Sequence, residues 1–226
     1  MDQDPFITHL TKKYQMPAYT DAVGTGSIFG PVLACAVSIP EPFYNSEVND
    51  SKQVPNKIIY RLAPVLKEKV VYAFGIVSVE ELLEIKNNQK GEHLAMVRAL
   101  KNLQEKIKID AAFVDGKFTL KGLEIPLYAI IKGDAINFGI AVASIIAKDE
   151  RDQLMINFYG EKYSKYHISS NKGYRSPDHL MALRKFGPVR SLHRTYLPQV
   201  KQVLSGNYDR VIQTKYKDRW EKLCQK

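Results

Sequence analysis

The chain has 226 residues, 45% of them hydrophobic, which suits one domain with a substantial core and excludes wholesale disorder. Lys plus Arg number 33 against 24 Asp plus Glu, a formal net charge of +9 that fits an anionic partner (nucleic acid, acidic lipid or acidic protein) without choosing among them. Cys35 and Cys224 make no disulfide framework, no apolar run approaches the roughly 18 residues of a membrane span, and Met1-Asp2-Gln3-Asp4 begins no secretory signal, so a cytoplasmic, monomeric protein without a membrane partner is expected.

Residues 1–16 are polar and mixed, a short helix or arm. Two strands are predicted between Ala18 and Ile39, joined by Gly24-Thr25-Gly26 and ended by Pro40 and Pro42. A helix starts near Pro55 and carries Ile58, Ile59, Leu62 and Leu66 at helical spacing. Val70 to Val77 is a strand and Val79 to Ile85 a short helix. Glu92 to Ile107 is an amphipathic helix with Leu94, Val97, Leu100, Leu103 and Ile107 on one stripe. "AAFVDG" ends a buried strand at Asp115, and "IPLYAIIKGD" ends another at Asp134. Ala135 to Phe158 reads as one long helix, Tyr159 to Arg175 as a basic, aromatic loop, and Asp178 to Lys185 as a helix. "HRTYLPQVKQVL" runs into another helix, and a polar, basic tail closes the chain. Strands followed by strand–helix alternation imply an α/β fold: a mixed sheet flanked by helices, with a helical C-terminal extension. The expected organisation is an arm (1–17), a core (18–160) and a helical C-terminal region continuous with it (161–226).

Asp21, Asp115 and Asp134 share one context, since each stands at or near the end of an apolar strand. Acids at neighbouring strand ends can converge, and a divalent cation relieves their repulsion. Oxygen-rich clusters suit Mg²⁺ or Mn²⁺, and two such ions about 4 Å apart serve phosphodiester hydrolysis. Each acid alone also fits ordinary turn or cap chemistry. The Gly24-Thr25-Gly26 turn can present backbone N–H groups to a phosphate or sugar, or be only a tight turn. Tyr174 in "NKGYRSPDH" can stack on a base or sugar, with Lys172 and Arg175 on phosphates; a solvated basic loop is the alternative. His93, His167, His179 and His193 lack zinc spacing and read as surface or packing residues. Ser27, Ser144 and Ser170 lack the G-x-S-x-G setting of a serine hydrolase.

The ordered segments "TDAVGTGSIFGPVLACAV", "NDSKQV", "VDG", "IKGD", "ASIIAKDERDQLM", "NKGYRSPDHLMALRKFGP" and "RTYLP" resemble type 2 ribonuclease H, the bacterial HII and HIII group, from about Tyr19 to Val203. The glycine turn is closer to the HIII pattern and the KGY and RTYLP segments to HII. The short segment before the first motif favours an HII-like architecture. The resemblance implies a ribonuclease H-like fold and a metal-dependent endoribonuclease. Such an enzyme cleaves the RNA strand of RNA–DNA hybrids, or nicks at ribonucleotides embedded in DNA, leaving a 3′-hydroxyl and a 5′-phosphate. It implies Asp21, Asp115 and Asp134 as ligands of two Mg²⁺ or Mn²⁺ ions. Gly24, Thr25 and Gly26 are implied on the ribose 2′-hydroxyl, which distinguishes RNA from DNA, and Tyr174 on the adjacent sugar–phosphate. Asn49, Lys52, Lys172 and Arg194 are implied as further substrate contacts. Where the family pattern has a glutamate ligand, this chain has Ala22. Either an inactivating change made to trap substrate or a natural loss of catalysis explains it, and the intact substrate motifs favour the first. The alternatives are a catalytically silent hybrid-binding protein and, less supported, a nucleotide-binding α/β protein. The last expects a longer glycine loop entering a helix, whereas this turn enters an apolar, strand-like run.

Overall fold

The computed structural model describes residues 5–49, 51, 53–117 and 120–206. Its strands are β1 (Pro17–Val23), β2 (Val32–Ser38), β3 (Val71–Val77), β4 (Ala111–Asp115) and β5 (Leu127–Ile130). Its α-helices are α1 (Pro5–Lys12), α2 (Asn56–Lys67), α3 (Val79–Ile85), α4 (Asn88–Gln104), α5 (Gly133–Ile136), α6 (Phe138–Gln153), α7 (Ile168–Asn171), α8 (Pro177–Phe186) and α9 (Pro198–Leu204). The basic tail 207–226 and Lys52 lie outside the described residues. No helix among those described is long and apolar enough to cross a membrane.

The chain divides into two compact units. The first comprises residues 1–25, 32–77 and 89–151 and holds one sheet in the order β3-β2-β1-β4-β5. The β1–β2 and β2–β3 pairs are antiparallel, whereas β1–β4 and β4–β5 are parallel, so the sheet is mixed as expected. Helices cover both faces. Leu33, Cys35 and Val37 of β2 pack with Ile59, Leu62 and Leu66 of α2 and with the buried run Ala141–Ala147 of α6. On the other face α4 lies so close to β3 that a Cβ on Gly75 would meet the Ala95 carbonyl oxygen at 2.0 Å. The second unit comprises residues 26–31, 78–88 and 152 onward. There Ile28 packs with Leu180, Leu183, Val200 and Val203, and Phe29 with Met155, Tyr166 and Ile168.

Four expectations change. The second strand begins only at Val32. Ile28 and Phe29 are fully buried in the second unit, and their N–H groups both donate to the Gly173 carbonyl. The buried face of α4 is Gly91, Ala95, Met96, Ala99, Leu100 and Leu103; Leu94 and Val97 are only half-buried, because close approach to Gly75 selects the small residues. Asp134 is not at a strand end but inside α5. The long helix is broken at Asn137, whose backbone is extended and whose side-chain oxygen accepts the Ile140 N–H at 3.0 Å. Such a bond caps α6 as a new helix.

Candidate metal centre

Sheet register builds this site. β1 and β4 run parallel with Thr20 opposite Val114, so Asp21, two residues before the end of β1, follows beside Asp115 at the end of β4. Beyond β5 the chain turns through Lys132 in the left-handed region (φ 56°) and enters α5. The Gly133 N–H there donates to Asp115 Oδ1 at 2.7 Å, tying the β4 end to the turn that carries Asp134. One carboxylate oxygen from each of Asp21, Asp115 and Asp134 lies within 4.8 Å of the other two. Asp21 and Asp134 are buried and Asp115 half-buried.

Three carboxylates this close and this dry oppose one another's ionisation. Burial first, then the charges of Asp115 and Asp134, push the Asp21 carboxyl up to about 8; hydrogen bonds from Ser144 and from the Ala22 backbone act the other way. A divalent cation reverses that balance, and an all-oxygen donor set suits a hard one. The residues present therefore fit such an ion. The Ala22 N–H donates to Asp21 Oδ1 at 2.7 Å, while its methyl supplies no ligand atom. Glu150, a conceivable replacement acid, is engaged by Lys67 at 2.9 Å.

In the glycine turn, Gly24 is buried with φ 88°, and a Cβ there would stand 2.2 Å from Nε of the fully buried Arg151. Glycine is obligatory at that position. Gly26 is exposed, and a Cβ on it would meet nothing within 4 Å. Thr25 is half-buried and Asn49 exposed. In the second unit, Tyr174 is half-buried, and its carbonyl accepts from His179 Nδ1 at 2.9 Å. The Lys172 ammonium lies on the Ser169 and Ser170 carbonyls at the end of α7. Arg194 departs from expectation. It is fully buried with its guanidinium on the Gly30 carbonyl, 2.9 Å from Nη2, so it holds that loop and offers no surface to a phosphate. Sequence reasoning missed Ser144 and Arg151. The only signal for Ser144 was one hydroxyl inside the apolar run "GIAVASIIA".

The family model described as Ribonuclease HII matches residues 19–199. The Ribonuclease HII of Caldanaerobacter subterraneus subsp. tengcongensis is 37% identical over 190 residues, covering 84% of this chain and 76% of that protein. That of Parabacteroides distasonis is 40% identical over 189 residues, covering 82% and 92%. Among solved structures, Bst-RNase HIII in complex with Mn²⁺ matches with a TM-score of 0.71 at 19% identity, covering 86% of this chain and 70% of that one. The ribonuclease H2 of Pyrococcus horikoshii OT3 matches with a TM-score of 0.68 at 24% identity, covering 83% and 96%. At such identities these two structures speak for the fold.

Proposed function

The chain belongs to the ribonuclease HII family, and on that premise we propose that it is a divalent-metal-dependent endoribonuclease of RNA–DNA hybrids and of ribonucleotides embedded in DNA. The observation that carries the reading is the convergence of Asp21, Asp115 and Asp134 within 4.8 Å. These three carboxylates would hold Mg²⁺ or Mn²⁺. A bound divalent ion supplies Lewis acidity to the scissile phosphate and favours the deprotonated form of a water nucleophile. The chain's own residues do the rest. The Gly133 N–H fixes Asp115, and the Ala22 N–H and the Ser144 hydroxyl fix Asp21. The turn at Gly24-Thr25-Gly26 reads the ribose 2′-hydroxyl, and Tyr174 packs on the neighbouring sugar–phosphate. Asn49 and Lys52 meet the nucleic-acid backbone. Residues 1–17, 18–160 and 161–226 act as arm, catalytic core and substrate-binding region.

Ala22 leaves the centre one carboxylate short of the family pattern, and turnover by this chain is correspondingly low. Losing support even one shell out costs metal sites about 10–100-fold in affinity or activity. The test is a nicking assay on a DNA duplex with one ribonucleotide, in Mg²⁺ or Mn²⁺, comparing this chain with Ala22→Glu. Strong cleavage only after the substitution is expected. Tight hybrid binding with no cleavage by either protein would replace the enzyme by a silent hybrid-binding module. No preference for hybrid over plain DNA would sink both readings.

A further inference from the structure

β3 is an edge of the sheet, with β2 on one side and, among the described residues, no strand on the other. Its sequence, VYAFGIV, carries no charge and no proline. Uncharged, β-prone segments of that length invite pairing with another chain, and natural edge strands are blunted by lysine, proline or a bulge. β3 pairs with β2 in unbroken register from Val71 to Val77, so no bulge blunts it. The protection comes from α4 and the turn after it. In an antiparallel pair alternate residues turn both N–H and C=O away from the partner, and here these are Tyr72, Phe74 and Ile76. Arg98 Nη1 donates to the Ile76 carbonyl at 2.7 Å, Asn102 Nδ2 to that of Phe74 at 2.8 Å, and Lys106 Nζ to that of Tyr72 at 2.8 Å. Four residues rise about 6 Å along a helix and two about 6.8 Å along a strand, so one row of side chains matches the whole row of acceptors. The Lys106 ammonium also lies 5.5 Å from the centre of the Tyr72 ring.

We propose that Arg98, Asn102 and Lys106 form a guard that closes the β3 edge to a second copy of the chain and so keeps the protein monomeric. The edge is self-complementary. Antiparallel pairing about a two-fold axis at Phe74 sets Phe74 against Phe74 and Tyr72 against Ile76, uncharged pairs of the kind that stabilise sheets. The guard opposes that pairing twice. Each outward carbonyl is already bonded, so an incoming N–H must first displace a side chain. The same pairing also brings Arg98 of one copy towards Lys106 of the other, and like charges repel. Packing of α4 on the sheet does not need the three side chains. That contact is made at Gly75 by Ala95 and Ala99, whereas Asn102 and Lys106 are exposed and Arg98 half-buried. The guard stands independently of the metal centre and of the function proposed above.

The test is sedimentation velocity on the full chain over a wide range of concentration. The parent is expected to stay a monomer, and the triple variant Arg98→Ala, Asn102→Ala, Lys106→Ala to double in mass as concentration rises. Alanine suits a helix, and none of the three sites is fully buried, so the variant should remain folded by melting temperature. If it melts early, the pair Arg98→Ala, Asn102→Ala, confined to α4, is measured instead and should dimerise more weakly. Adding Ile76→Lys, at a side chain 47% exposed, puts a cation on the opened edge and should restore the monomer. Lys101→Ala with Glu105→Ala, exposed positions that do not bond β3, should leave the mass unchanged. A folded variant that stays monomeric would overturn the proposal. So would a dimer that survives Ile76→Lys, since its contact would lie elsewhere, or a parent that already dimerises. Dimerisation of the parent in high KCl alone would put charge repulsion in place of the bonded guard.

Discussion

Single residues at the centre carry opposing demands. Asp21 has its folded pKa raised to about 8, so the metal-free fold favours its neutral form. The unfolded carboxyl ionises near 4. Stability from this group is therefore fully present below about pH 4 and is lost as pH rises through the folded value. Asp21→Asn should raise the melting temperature of the metal-free protein at pH 8 and abolish stabilisation by Mn²⁺. Each kcal/mol relieved is worth about 2–4 °C at this chain length. An unchanged metal-free melting temperature would mean that Asp21 carries no such strain. The glycine turn separates folding from recognition in a similar way. Gly24→Ala meets both φ 88° and the Arg151 side chain at 2.2 Å, so it should cost about 1–2 kcal/mol or more in urea unfolding. Gly26→Ala meets nothing within 4 Å and should leave stability within about 0.5 kcal/mol. If Gly26 lies on the ribose, that variant still loses hybrid selectivity in a binding assay; retained selectivity removes Gly26 from the recognition surface.

At the scale of elements, the strands of the mixed sheet apart from the start of β2, and α2, α3 and α8, were legible in the sequence, and the three aspartates from their place beside strand ends. What was not legible depended on contacts distant in sequence. The choice of alanines over Leu94 and Val97 as the buried side of α4 is made by Gly75 on β3. The break before α6 is the exception, a local cap from one asparagine side chain within a run that reads as continuous helix. Distance in sequence also hid the buried pair of histidines that supports the Tyr174 segment. The Val189 N–H donates to His193 Nδ1 at 2.9 Å, so that ring carries its proton on Nε2. His179 Nδ1 meets the Tyr174 carbonyl at 2.9 Å, which only accepts, so its Nε2 is bare. The two Nε2 atoms are 3.2 Å apart, and the neutral rings form one directed chain from Val189 to Tyr174. Burial lowers His179 to about 4 and His193 to about 3, with His167 also opposing a charge on His179, and His179 one on His193. Unfolded histidines gain protons near 6.5, before the folded ones do, so stability is full above that pH and falls as pH drops toward 4. The slope is up to about 1.4 kcal/mol per pH unit for each ring. Urea unfolding at pH 7, 6 and 5 in saturating Mn²⁺ should show this decline, opposite in sign to the Asp21 effect. His193→Gln, able to accept from Val189 and donate to His179, should flatten it; an equal slope in that variant would assign the decline elsewhere.

For the whole molecule, a net charge of +9 fits the phosphate contacts of the proposed function, but composition cannot say which cations make them. Burial and bonding separate three that look alike in sequence. Arg194 is fully buried on the Gly30 carbonyl, Lys172 is half-buried with its ammonium on helix-end carbonyls, and Arg175 is exposed. Each phosphate neutralised releases counterions, so the logarithm of affinity falls with the logarithm of salt concentration by about 0.9 per contact on a duplex. Affinity for a hybrid should therefore fall as salt rises, and Arg175→Ala should reduce that slope by about one contact. Arg194→Ala should instead lower stability, because it empties a buried site and strands the Gly30 carbonyl. Tyr174→Ala should behave unlike either. An aromatic ring on a sugar contributes no counterion release, so its loss should lower the ratio of junction to plain-duplex affinity while the salt slope stays as it was. Anisotropy titrations of the parent and these three variants, each over a range of KCl on a plain duplex and on one with a single ribonucleotide, separate the cases. A Tyr174→Ala variant that loses affinity equally on both duplexes would make the ring part of the packing. A slope unchanged in Arg175→Ala would move the phosphate contacts off this loop.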